Sequence, residues 1–217
     1  MEPITRITQN IDWITLVLLV SLILMVIAKK IFYTRFLNFI ILPFNNKYII
    51  MYNKKEKLFN WFHILLTVFQ IINISLFLYL TWRAYSSPEI KVPNVTFFVI
   101  LGFIFLFVLT KMFLQLGNGF IFGSYGTINE LLFKKASYLN YSSIVLFLAN
   151  ILLSFVYINS MTVVLSAIVL FIIINIIGWV TVVRIHQKFI SSYFFYFILY
   201  LCALEIAPLI IMGSFLK

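Results

Sequence analysis

Cysteine is almost missing from this chain: Cys202 stands alone, which excludes an intramolecular disulfide and any multi-cysteine metal site. Two histidines, His63 and His186, leave too few imidazoles for a haem or a metal centre. No His-Glu-x-x-His, Cys-x-x-Cys or Gly-x-Ser-x-Gly occurs. Acidic residues number six, and only Glu205 lies deep within an apolar run, so paired-carboxylate chemistry has no second member. An enzyme is therefore not expected, and neither is a cofactor. Charge of any kind is scarce, at 10% of residues against about a quarter in soluble domains. A chain that is 64% hydrophobic would present large apolar patches to water.

What the chain has in quantity is long apolar runs. A spanning helix needs about 20 mostly apolar residues. Six segments meet that need: 11–28, 61–82, 95–116, 140–158, 162–183 and 193–216. The fold class that follows is all-α, a polytopic membrane bundle of about six helices with short interfacial helices, forming one domain over 1–217. The first run is a poor cleavable signal peptide, because Glu2 and Asp12 precede it and Lys29-Lys30 follow it. No internal repeat is visible, which weighs against repeat-built transporter folds.

The sixteen Lys and Arg residues suggest nucleic acid only if the chain is taken as soluble. They fall instead between apolar runs, where retention on the cytoplasmic side explains them. With the N-terminus outside, twelve of the sixteen lie on the inner side and four outside. That places both termini in the periplasm and three basic loops in the cytoplasm. The expected partners are the lipid bilayer and other membrane subunits, with no nucleic acid.

Two loops carry local patterns. In the first, Phe32, Phe36, Phe39 and Ile40 recur at helical spacing opposite Lys30, Thr34, Arg35 and Asn38, which predicts a helix lying in the interface. Pro43 with Asn45-Asn46 should end it, and the tract Lys54–Lys57 anchors the return to Trp61. In the third, Gly117, Gly119, Gly123 and Gly126 fall within ten residues. Gly119 and Gly123 form a GxxxG able to bring helices close or to act as a hinge. A tight turn at these glycines into a short interfacial helix is expected, with Thr127-Ile-Asn-Glu130 as its capped start.

Polar groups inside the runs are the candidate functional residues. Glu205 sits near the middle of the sixth run, where an uncompensated charge costs roughly 2.5–3.5 kcal/mol on insertion scales. Pro208, one turn later, cannot donate to the carbonyl of Leu204 and should kink the helix beside that carboxyl. Gln70, Asn73, Asn150 and Asn175 fall at comparable depth, so a midplane polar layer around Glu205 is expected. Three readings of it stay open: structural glue, a proton or small-solute path, and contact with another subunit. Lys111 and His186 are the candidate cationic partners of Glu205, with Lys111 expected to snorkel. His63 is expected at the interface.

The ending Tyr200-Leu-Cys-Ala-Leu-Glu205-Ile-Ala-Pro208-Leu, preceded by Arg184-Ile-His186 and the aromatic run from Tyr193, resembles an integral membrane family of Bacteroidota, domain of unknown function 4271. The specific likeness covers about the last third of the chain, with the region from Lys111 to Gly123 behind it. It implies a bacterial inner-membrane location and supplies no catalytic residues. Two function classes are carried forward. One is an accessory or assembly subunit of a larger envelope complex, such as protein export or secretion machinery. The other is a small proton-linked transporter or channel using Glu205. The orientation is open to a direct check: a periplasm-activated reporter fused after Lys217 should be active, and a cytoplasmic signal would overturn the assignment.

Overall fold

The computed structural model describes residues 12–44, 47–52, 60–85, 93–121 and 125–185. Its elements are α1 (Asp12–Ile31), α2 (Tyr33–Ile40), α3 (Lys47–Tyr52), α4 (Trp61–Tyr85), α5 (Val95–Ile121), α6 (Tyr125–Ile151) and α7 (Met161–Ile185). A π-helical turn, Leu152–Val156, continues α6. Five helices among the described residues are long and apolar enough to cross a membrane. The sixth apolar segment, 193–216, lies outside the described residues, as do Glu205, Pro208, His186, Gly123 and the Lys54–Lys57 tract.

In hydrocarbon every backbone N–H and C=O must be satisfied within its own segment, so uninterrupted helices are the stable form of such runs. The same reason corrects two sequence expectations. Gly117 and Gly119 do not open a turn; α5 runs through both to Ile121. The Thr127–Glu130 motif does not cap a separate helix either. The helix starts at Tyr125, ahead of Thr127, and continues without a break into the span that was expected to begin at Asn140. No proline intervenes, and burial of α6 between its neighbours outweighs a local capping preference.

The bundle is organised around α4 and α6, whose membrane-length windows are 56% and 50% buried, against 22%, 11% and 17% for α1, α5 and α7. Helix α6 packs on α4, α5 and α7, while α1 packs on α4. The outer helices turn apolar side chains outward, as Leu16, Leu106, Phe113 and Ile176 do. Such exposure is costless in lipid, where hydrocarbon solvates leucine as well as protein does.

Two apolar cores stack along the bundle. Near one end Trp13 of α1 meets Tyr79 of α4 edge-on at 5.1 Å and Phe97 of α5 at 5.3 Å. At the other end α2 and α3 are folded against the helices. Phe36 and Phe39 of α2 are buried as the pattern predicts, whereas Ile40 is exposed. The turn at 41–44 contains Pro43, in agreement with its expected role. Helix α3 had no forecast: its buried Tyr48 stacks on Phe133 of α6 at 5.9 Å. Burial raises the Tyr48 hydroxyl above its ordinary titration range, with the Arg35 charge opposing the shift. Arg35 itself lies over the rings of Phe32 and Tyr52, at 5.4 and 5.1 Å, tying α2 to α3.

The α6–α7 contact depends on a missing side chain. A Cβ placed on Gly178 would lie 2.6 Å from Cγ of Tyr138, whose side chain is fully buried. Asn159 makes the tight return between these helices with φ 58, a conformation Asn tolerates better than most residues. Gly178→Val should therefore destabilise the bundle by about 1–3 kcal/mol, the ordinary cost of overpacking. Unfolding in mixed micelles measures this, and an unchanged midpoint would contradict the close approach.

Candidate functional site

The polar seam begins with Asn73 on α4. Its Nδ2 donates to the Phe69 carbonyl at 2.8 Å, which leaves Oδ1 and the backbone carbonyl turned to α6. Asn150 fills that position: its Nδ2 donates to the Asn73 carbonyl at 3.0 Å and to Asn73 Oδ1 at 3.4 Å. Both asparagines are fully buried. One turn away Phe69 packs on Phe147 at 5.7 Å, so polar and aromatic contacts enforce the same register between two parallel helices.

The amides expected in one layer divide between two interfaces. Asn73 and Asn150 meet, with Gln70 buried one turn before on α4. Asn175 of α7 donates instead to Ser142 of α6 at 3.2 Å and to the Phe171 carbonyl at 2.8 Å. Buried hydroxyls mostly bond back to their own helices, as Ser75 does to Ile71 and Ser137 to Phe133, each at 2.7 Å.

A second polar level went unrecognised in the sequence. His63, near the start of α4, is buried and stacked on Phe133 at 5.3 Å. Asn140 is also fully buried, on the α6 stripe that carries Phe133, Ser137, Phe147 and Asn150. The two are separated along the chain by the same interval as Asn73 and Asn150. Both ring nitrogens of His63 and both amide atoms of Asn140 lack a hydrogen-bond partner among the described residues. Equal spacing of polar residues in two parallel runs was the signal that would have found them.

Lys111 lies in the second half of α5. Its Nζ lies over the Phe107 ring at 5.8 Å and its side chain meets that of Lys135 on α6. Lys135 Nζ lies 5.0 Å over Trp179 of α7. Neighbouring Lys134 is buried and paired with Glu130 at 3.0 Å. Among the described residues no group of three or more His, Cys, Asp or Glu side chains could hold a metal.

The family described as a domain of unknown function (DUF4271) matches residues 14–216. No curated protein and no solved structure matches the chain. Removing the seam amide tests its role within the bundle. Asn150→Ala should cost about 0.6–1.7 kcal/mol, the range of measured membrane hydrogen bonds. Asn73→Ala should cost less, because the carbonyl that accepts from Asn150 belongs to the backbone. The order of the two losses, read by unfolding in lipid–detergent micelles, checks the geometry.

Proposed function

The chain belongs to the DUF4271 family, and on that premise we propose that it is a non-enzymatic, membrane-embedded subunit or assembly factor of a larger envelope complex. One observation carries this reading: the midplane amides Asn73, Asn150 and Asn175 are engaged in helix-to-helix and same-helix hydrogen bonds. A solute path needs polar groups turned to a shared cavity, whereas a docking subunit needs a fixed bundle with faces to spare. The outer faces of α5 and α7 are almost wholly apolar and exposed, and the folded α2–α3 pair offers a basic and aromatic surface beside them. The setting is a bacterial inner membrane with both termini in the periplasm, and export or secretion machinery is the kind of complex it serves.

The test is recovery of partners at native expression. A tagged chain extracted in mild detergent should bring down a reproducible set of membrane proteins, identified by mass spectrometry. Recovery of the bare protein alone would count decisively against a subunit. Glu205→Gln should leave that set unchanged; loss of a proton or solute flux with assembly intact would favour the transporter reading instead.

A further inference from the structure

Helix α2 carries three faces, where a helix lying between a bundle and water needs two. Its inward face, Phe36 and Phe39, is buried, with the Phe39 ring against those of Phe62 and Tyr141. Thr34 and Asn38, one turn apart, make a polar edge. Tyr33, Leu37 and Ile40 make a third face at helical spacing, and all three are exposed. Phe44, in the turn beyond, is 89% exposed. Aromatic contacts fix α2 at one end of the spans. Phe32, which separates it from α1, and Phe39 both meet Phe62, the second residue of α4, at 5.7 and 5.9 Å. Lys29 and Lys30 lie exposed in the last turn of α1, and Trp61, which opens α4, is exposed at the same end. Exposed tryptophan and lysine at the end of a span mark the headgroup level. Exposed Ile23, Ile27 and Ile31 form a stripe along α1 that ends two residues before Tyr33.

We propose that α2 is a docking surface for anionic phospholipid: Tyr33, Leu37, Ile40 and Phe44 enter the adjoining leaflet, and Lys29 and Lys30 hold its headgroups. The phenylalanine stripe that marks α2 as interfacial in the sequence packs on protein, so lipid contact falls to a different set of residues. Hydrocarbon solvates that set as well as protein does, whereas water would leave it as an apolar patch. A helix placed this way has protein on one side, acyl chains on the second and water at the Thr34–Asn38 edge. Two adjacent lysines then face lipid phosphates, each contributing about fivefold to the preference for anionic lipid. The lysine pair and the continuity with the α1 stripe favour lipid over a second protein as the cover. Lipid contact here is independent of whether the chain is a subunit or a transporter.

The experiment uses the full chain carrying Cys202→Ser, reconstituted in bilayers of phosphatidylcholine with phosphatidylglycerol. A nitroxide is attached singly to Leu37→Cys, Phe44→Cys and Thr34→Cys variants, and its collisions with oxygen and with a water-soluble nickel chelate are compared. All three positions are exposed, so the substitutions leave the packing of the bundle intact. The labels at 37 and 44 should meet oxygen in preference to nickel, and the label at 34 should show the reverse. Native mass spectrometry then compares the affinity for the two lipids. Lys29→Gln with Lys30→Gln should lower the preference for phosphatidylglycerol about ten- to thirtyfold, while Lys29→Arg with Lys30→Arg should retain it. Three outcomes overturn the proposal. Free collision of nickel with the labels at 37 and 44 would put the face in water. Shielding of both labels from either reagent would put a second copy or another subunit on it. A lipid preference unchanged by the double glutamine variant would remove the lysines from headgroup binding.

Discussion

The hydrogen bond from Asn150 to the Asn73 carbonyl joins the two helices on which the rest of the bundle rests. Its net stabilisation is modest, because an amide in a bilayer finds some partner even when the helices separate. Its geometric effect is larger. A buried amide without a partner is costly in hydrocarbon, so α4 and α6 have one favourable register. That register brings Phe69 against Phe147. Helix α6 then presents its other sides to α5 and α7, and α4 receives α1.

Small side chains set the second packing contact. Gly178 lets Tyr138 press against α7, and Asn175 closes the same interface through Ser142. The two interfaces of α6 are therefore built differently. Toward α4 an amide pair and two phenyl rings interlock, whereas toward α7 close backbone approach does most of the joining. At the end bearing α2 and α3, aromatic rings take over, with Phe39 touching Tyr48, Phe62 and Tyr141. That interlocking explains how two short helices, unstable alone, hold a fixed position.

Much of the fold was legible in the sequence because hydropathy directly measures the property that decides spanning. The start at Trp61, the start at Val95 and the amphipathic stripe of Phe36 and Phe39 all follow from it. The continuous α6 was not legible, since four clustered glycines and a capping motif are local signals, and tertiary burial overrode them. Helix α3 escaped because its six residues are too short to show a period. In the site, residue type and depth pointed to Asn73 and Asn150 but not to their pairing, which needs the relative direction of two helices. The meeting of Lys111 with Lys135 was hidden for the same reason, since side-chain reach and helix crossing are invisible along one strand of sequence.

A fixed, dry seam between α4 and α6 is the central claim, because it separates a packed subunit from a conduit. Cysteine accessibility in intact membranes tests it most directly, in a chain where Cys202→Ser removes the native thiol. Asn73→Cys and Asn150→Cys should resist a small water-soluble thiol reagent until the protein is denatured, while a cysteine at exposed Tyr85 reacts at once. Rapid labelling at either seam position in the folded protein would show water there and contradict the account.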